Sequence, residues 1–194
     1  MVEMMTLSFD EQVRAVARRG VPIDAASLTS ARLERERARS ALAWSRELVP
    51  VAEAAALIER AGRPVVLGHL EPDELVRFTP IESIDPPGVP AYTLVEVDLG
   101  ADRRNVRPED ALRDILAAGR SPLTLDEGIA LMLQQPDVIA PNWGFSLAGS
   151  RCGDQRVPAL WVSDGRPKLG WCWDRNPHTW LGTASCAERV AGAA

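Results

Sequence analysis

The sequence is poor in the residues that mark a disulfide scaffold or a nucleic-acid partner. Its 194 residues include three cysteines, and Lys168 is the only lysine among its 22 basic residues. Three is an odd number and low for a disulfide framework, so we expect reduced thiols and a cytoplasmic protein. The net charge of −5 offers no basic face to neutralise phosphates, which argues against a nucleic-acid partner.

Long apolar runs are also missing. No uninterrupted stretch approaches the ~18 apolar residues needed to cross a bilayer, and the start, "MVEMMTLSFDEQ", lacks the basic and apolar regions of a signal peptide. Hydrophobic residues make up 46% and charged residues 25%, as in ordinary globular proteins. We therefore expect a single domain, 1–194, with a helical segment over 1–60, an α+β core over 61–194 and no membrane partner.

The first sixty residues carry helix signals. Ser8 and Glu11 have the spacing of a capping box, and Gly20 stops the helix that follows. The pattern predicts a second helix from about Ala25 to Trp44 and a third from about Val51 to Arg60.

The middle of the chain mixes strand and helix signals. The stretches 63–70 and 91–99 are short and rich in β-branched residues, which predicts strands. Helices are predicted over 107–119 and 124–136, the latter with a capping box at Thr124 and Glu127. The acids Asp126 and Glu127 are explained by electrostatics at a helix start. The fold class predicted is α+β, with helices first and then a mixed or antiparallel sheet completed by a C-terminal β-hairpin.

That hairpin is the sharpest local prediction. "VPALWVS" and "RPKLGWCW" alternate and are joined by Asp164-Gly165, the kind of dipeptide that favours a two-residue turn. This turn pairs Trp161 with Lys168, Leu160 with Leu169, Ala159 with Gly170 and Val157 with Cys172. Two faces follow. The expected core face holds Leu160, Val162, Leu169, Trp171 and Trp173, and the expected pocket floor holds Ala159, Trp161, Lys168, Gly170 and Cys172.

These residues carry a resemblance. The block "VPALWVS", "PKLGWCW", "NPHTWLG", preceded by "SPLTLDEGIALMLQQPDVI", resembles an uncharacterised actinobacterial family, a domain of unknown function, over about residues 90–186. The resemblance implies a cytoplasmic bacterial protein and supplies no catalytic residues.

Lys168, Cys172 and His178 are the candidate catalytic residues. A catalytic thiol needs a neighbouring imidazole or cation to hold it as thiolate, and His178 lies in a loop predicted to pass the hairpin. The alternative is that Cys172 is a small hydrophobic residue of a packed strand and His178 a hydrogen-bonded loop anchor.

Aromatic residues of the same region are the candidate ligand-binding residues, because aromatic walls with a few polar groups are typical of ligand sites. The alternative is ordinary core packing. The predicted set is Trp143, Trp161, Trp173, Asn176 and Trp180.

Two other arrangements stay open at the sequence level. Cys152, Cys172, His178 and Cys186 are possible zinc ligands, but their spacing lacks the C-x2-C knuckle, so no metal and no cofactor is predicted. The stretch "GHLEPDE" places His69 beside several acids, a pattern of low specificity for an acid-base or metal cluster.

The sequence thus predicts a small-molecule pocket at the C-terminal hairpin, with a leaning to an acid-base or covalent enzyme of specialised metabolism. A non-catalytic ligand-binding or protein-interaction module and a zinc-stabilised structural domain are the alternatives. No particular oligomeric state is indicated.

Overall fold

The computed structural model describes residues 4–28, 31 and 39–191. The described residues combine helices and strands in an α+β fold, as predicted. The α-helices are α1 (Phe9–Arg18), α2 (Ala25–Leu28), α3 (Val51–Ala56), α4 (Pro108–Ala117) and α5 (Leu125–Gln134). Single 3₁₀ segments span Pro72–Arg77, Ala101–Arg103 and Pro136–Val138.

The strands are mostly short, and the two longest form the C-terminal hairpin. In chain order they are β1 (Ala41–Trp44), β2 (Glu59–Arg60), β3 (Arg63–Pro64), β4 (Val66–Leu67), β5 (Thr79–Pro80), β6 (Ala91–Val95), β7 (Ser121–Pro122), β8 (Gly144–Ser146), β9 (Ser150–Arg151), β10 (Arg156–Ser163), β11 (Arg166–Trp173), β12 (Leu181–Thr183), β13 (Ser185–Cys186) and β14 (Glu188–Val190).

Two sheets organise the fold. The larger has the order β12-β8-β10-β11-β4 and is mixed, because β12 and β4 run parallel to their neighbours whereas β8, β10 and β11 pair antiparallel. The smaller, β1-β6-β14, is antiparallel. Three two-stranded pairings, β13-β7, β2-β3 and β5-β9, connect the surrounding loops. The predicted mixed sheet is therefore present.

Helix α5 lies at the centre. Nine of its ten residues are buried, and it packs against α1, α3 and β1. Its first turn is closed by the predicted capping box, in which Thr124 accepts from the backbone N–H of Glu127 and the Glu127 carboxylate accepts from that of Thr124. Ser8 and Glu11 form the same box at α1. No helix in the described part of the chain is long and apolar enough to cross a membrane.

The predicted second helix is wrong at its C-terminal end. Residues 29–30 and 32–38 lie outside the described residues, but Ala41–Trp44 is a strand, paired in register with β6. All four of its residues are buried, and the strand contacts both β6 and α5. So short an apolar run has no periodicity to separate strand from helix. The third helix also ends early, because Glu59–Arg60 pairs with Arg63–Pro64.

The hairpin has the predicted register. Trp161 pairs with Lys168, Leu160 with Leu169, Ala159 with Gly170 and Val157 with Cys172. The turn residues Asp164 and Gly165 both take positive φ, of 52° and 72°. These are the values that a two-residue loop of this kind requires.

Each face of the hairpin packs against a different core. Leu160 and Leu169 are fully buried in the main core, with Trp171 half-buried beside it. Trp173 was expected in that core, but it is 47% exposed at the end of β11. On the opposite face, predicted as a pocket floor, Val157, Ala159 and Cys172 form a second small core with Ala148 and Leu181. Leu112 of α4, Trp161 and Trp180 pack against it.

Candidate functional sites

A groove lined by tryptophans lies beside this second core. It has a volume of about 170 Å³, and we name it the tryptophan groove; its lining residues are Ala140, Asn142, Trp143, Trp161, Val162, Ser163 and Trp180. Trp143 follows a tight turn in which Ala140 and Trp143 exchange two backbone hydrogen bonds and Asn142 takes a φ of 58°. Three of the five predicted ligand-binding residues therefore share one groove. Trp173 and Asn176 are not part of its lining.

Basic or heteroaromatic side chains stand beside each of these rings. The Lys168 ammonium is 5.9 Å from the Trp161 centroid, and the Arg104 guanidinium is 4.8 Å from that of Trp143. The His178 and Trp180 ring centroids are 5.2 Å apart, and those of Trp180 and Trp161 are 5.8 Å apart. The row is thus Lys168, Trp161, Trp180, His178, with two indoles between the cation and the imidazole.

Cys172 is separated from Lys168 as well. Four residues along a strand span roughly 13 Å. The ring of Trp161 lies across the intervening Gly170, since a Cβ at position 170 would be 2.6 Å from Cη2 of Trp161. None of the three predicted catalytic side chains lines the tryptophan groove.

The electrostatics of this region do not favour a nucleophile. Burial raises the pKa of the Cys172 thiol to about 12, with Arg151 acting in the opposite sense. Burial lowers the pKa of the His178 imidazole from its ordinary value, which favours the neutral form. A neutral imidazole provides no positive charge to hold a thiolate. Trp161 and Trp180 therefore pack against a small core that contains the Cys172 thiol.

The candidate metal ligands are dispersed. Cys152 donates to Asp154 Oδ1 at 3.2 Å, Cys172 lies in the second core, and Cys186 lies in the main core. In the described ranges no three His, Cys, Asp or Glu side chains are grouped so that they could hold a metal ion. The acids near His69 cap the 3₁₀ segment instead: Glu74 accepts from the backbone N–H of Glu71 at 2.9 Å.

A much larger cavity lies elsewhere. It has a volume of about 780 Å³, and we name it the proline cleft. The loop before β6 supplies one wall, the loop after β1 another, and the start of α5 a third. The lining residues are Trp44, Ser45, Arg46, Glu47, Leu48, Pro80, Pro86, Pro87, Gly88, Val89, Pro90, Tyr92, Thr124 and Asp126.

One ion pair lines this cleft. Asp126, whose side chain is 13% exposed, accepts from Nη2 of Arg46 at 2.5 Å. The same guanidinium donates to the carbonyls of Val76 and Phe78 at 3.1 and 2.9 Å. Burial raises the pKa of Asp126 above its ordinary value, even though Arg46 acts to lower it. Because the folded state holds this proton more tightly than the unfolded chain, ionising Asp126 costs stability as the pH rises through its raised pKa.

The neighbouring acid has a different environment. Glu127 is fully buried, and its carboxylate accepts from Arg189 Nε at 2.6 Å, Thr124 N–H at 2.8 Å and the Tyr92 hydroxyl at 2.9 Å. Arg189 also donates to the Pro122 carbonyl at 2.9 Å and to the Ser121 hydroxyl. Burial and the nearby Glu127 charge both raise the pKa of Tyr92. Glu127 is therefore a structural link between β14, β6 and α5.

A model of a family of unknown function, DUF5701, matches residues 4–192. The chain belongs to DUF5701. The match includes both the N-terminal helices and the C-terminal hairpin. No curated protein and no solved structure matches the chain significantly.

The proline cleft of this DUF5701 chain was missed at the sequence level. Its walls come from residues 44–48, 80–92 and 124–126, so no local pattern contains them. Two signals were nevertheless present. The "IDPPGVP" loop concentrates rigid residues immediately before a buried strand, and Asp126 is an acid that the capping box at Glu127 does not use.

Proposed function

We propose that this DUF5701 protein binds a small, largely apolar molecule in the proline cleft. The observation that carries the proposal is a cavity of about 780 Å³, with apolar walls and one largely buried carboxyl in its lining. Ligand sites commonly occupy about 300–1,000 Å³ and combine apolar walls with a few polar groups. A carboxyl whose pKa is shifted by burial is a further mark of a functional site.

The walls are suited to a preformed site. Pro80, Pro86, Pro87 and Pro90 all line the cleft, and proline fixes the backbone φ. Trp44 and Tyr92 are each 2% exposed and are held by the pairing of β1 with β6. A wall that is rigid before binding loses little conformational entropy on binding, which favours affinity.

The proposal is one of binding, and the catalytic roles predicted for Lys168, Cys172 and His178 are not part of it. The pKa of about 12 at Cys172 and the indoles between Lys168 and His178 weigh against concerted chemistry. A cytoplasmic location is part of the proposal, because all three cysteines are free thiols.

The tryptophan groove is a second candidate ligand site. The observation that favours it is the convergence of Trp143, Trp161 and Trp180 on one groove. Its volume of about 170 Å³ is below the usual range, so it suits a single flat ring rather than a whole ligand.

Indole, a neutral apolar probe, tests the proposal. We expect it to shift the methyl resonances of Leu48 and Val89, which line the cleft. Gly88 offers a matched pair of variants, since an added Cβ meets no atom within 4 Å. Gly88→Trp should abolish these shifts by filling space at the cleft, whereas Gly88→Ala should retain them.

The opposite results are equally clear. Binding that is unchanged in a folded Gly88→Trp protein, or an absence of shifts at Leu48 and Val89, would contradict the proposal. Shifts confined to the methyls of Val162 and Leu181, beside the tryptophan groove, would favour the second candidate. Thermal unfolding of both variants checks that the fold is intact.

A further inference from the structure

The charged groups of the proline cleft are unbalanced. Its lining contains one cation, Arg46, and two carboxylates, Glu47 and Asp126. The cation is already engaged, because its guanidinium donates to Asp126 and to the carbonyls of Val76 and Phe78. An anionic ligand would have to share those donors. A cationic ligand meets two carboxylates instead, of which Asp126 is largely buried and Glu47 is exposed.

The aromatic walls act in the same direction. Trp44 and Tyr92 both belong to the lining of the cleft, and because Tyr92 pairs with Ala43 their side chains leave the sheet on opposite faces. The face of an aromatic ring attracts a cation electrostatically, most strongly for tryptophan and where water is excluded. Tyr92 interacts electrostatically with Asp126, and an aromatic residue beside a carboxylate favours an ammonium group over a carboxylate.

We propose that the ligand of the proline cleft carries a protonated amine on an apolar body, with Asp126 as its carboxylate partner. This inference rests on the proposed function, because it names the chemical class of the ligand of that same cleft. The apolar body would lie against the proline and tryptophan walls. The ammonium would donate to the Asp126 carboxylate, which keeps Arg46 on its other side.

A pH dependence follows from the surroundings of Asp126. Arg46 faces it from the loop after β1, Glu127 from the same helix turn and Tyr92 from β6. Glu47 is the remaining charged group of the lining. Because an ammonium binds the ionised carboxylate, its affinity should fall as the pH is lowered through the raised pKa of Asp126.

Three probes of similar size but different charge test the inference. Phenethylamine is a cation at pH 7, phenethyl alcohol is neutral and phenylacetate is an anion. We expect phenethylamine to bind about tenfold or more tightly than the alcohol, which corresponds to one charged hydrogen bond, and phenylacetate to bind most weakly. The methyl shifts of Leu48 and Val89 report the binding.

Asp126→Asn removes the charge with little change of shape. Its phenethylamine Kd should rise about tenfold, while its phenethyl alcohol Kd stays within about twofold of wild type. Asp98→Asn is the matched control, because Asp98 forms a similar arginine pair, at 2.8 Å to Arg103, away from the cleft lining. This control should keep the wild-type preference for the amine.

The possible outcomes are distinct. Equal affinity for amine and alcohol in the wild-type protein, or strongest binding of phenylacetate, would overturn the amine inference and leave the proposed function intact. A failure of all three probes to shift Leu48 and Val89 would contradict both. If Asp126→Asn does not fold, the wild-type series decides: the amine affinity must weaken at low pH while the alcohol affinity stays constant.

Discussion

The proline cleft and the tryptophan groove are built in opposite ways. The groove comes from one C-terminal segment, 140–180, rich in tryptophan, and encloses about 170 Å³. The cleft comes from three separate segments, 44–48, 80–92 and 124–126, and encloses about 780 Å³. The local concentration of tryptophan, cysteine and histidine therefore reflects packing to a large extent. The larger cavity forms where common residues from distant segments meet.

The cleft and the groove also differ in the charged residues of their linings. Arg46, Glu47 and Asp126 belong to the lining of the cleft, so its lining has two carboxylates and one cation. The groove lining contains no charged residue within the described part of the chain, and the cations Lys168 and Arg104 stand beside its rings. A cavity with an excess charge can select a ligand by charge, whereas cations already placed on aromatic rings mainly stabilise the fold.

The buried pair behind the cleft gives the largest expected effect on stability. Arg189→Met removes the cation from Glu127, whose carboxylate is fully buried and only 2.6 Å from Arg189 Nε. An unpaired buried carboxylate should lower the free energy of unfolding by about 3–5 kcal/mol, measured by urea denaturation. Arg175→Met is the control: its pair with Glu109, at 3.3 Å, is on the surface and should contribute less than about 1 kcal/mol.

This comparison separates the two acids at the start of α5. Equal costs for the two arginine variants would mean that Glu127 is not held as a structural ion pair.

Thiol reactivity tests the chemistry assigned to the hairpin. Burial raises the pKa of Cys172 from 9.0 to about 12, so at pH 8 its thiolate fraction should be about a thousandfold below that of a free thiol. Iodoacetamide labelling followed by mass spectrometry should therefore be far slower in the folded than in the urea-unfolded protein. Cys186, whose pKa burial also raises to about 12, is the internal control.

The decisive comparison is between these two thiols. Labelling of native Cys172 that exceeds its rate in the unfolded chain, while Cys186 remains protected, would restore the nucleophile hypothesis and move the functional site back to the hairpin.

The parts of the fold predicted from sequence are those in which local chemistry fixes the geometry. Asp164-Gly165 forms a two-residue turn, and that turn alone sets the register of eight residue pairs. Strand β1 had no such signal. Its four apolar residues are buried by β6 and α5, which lie far away in sequence, so propensity could not identify it.

The candidate sites follow the same rule. Trp143, Trp161 and Trp180 are predicted from the sequence as aromatic ligand-binding residues, and the pairing of β8 with β10 and β12 brings them together. Alternation along β11 predicts that Trp173 lies in the core. Trp173 is the last residue of that strand, however, and it is 47% exposed. Alternation assigns a face without saying whether another element covers that face at the strand's end. Asp126 was read as a helix-start acid because its partner, Arg46, is 80 residues away.

A smaller stability effect is expected at the centre of the hairpin. At Gly170 an added Cβ would lie 2.6 Å from Cη2 of Trp161 and 2.8 Å from the Gly68 carbonyl oxygen. Gly170→Ala should therefore displace the indole and cost about 1–3 kcal/mol of unfolding free energy. The near-ultraviolet circular dichroism of the tryptophans should change as well.

Gly88→Ala, where nothing is within 4 Å, should leave both measurements unchanged. If Gly170→Ala also leaves the unfolding free energy and the circular dichroism unchanged, the Trp161 ring must be free to move. The tryptophan groove would then be able to change shape around a ligand, unlike the proline cleft, whose walls are rigid.

The smallest effect is expected at Lys168. Its ammonium lies 5.9 Å from the Trp161 ring centroid, and its aliphatic stem passes close to Gly68. Lys168→Met keeps the stem and removes the charge, so only the cation–π attraction is lost, about 0.5–1 kcal/mol in urea denaturation. Lys168→Arg, which keeps a cation, is the matched control and should lose less. A Lys168→Met protein that loses none of this free energy but fails to bind a planar anion such as indole carboxylate would assign the lysine to a ligand rather than to Trp161. The two cavities would then both select by charge, with opposite signs.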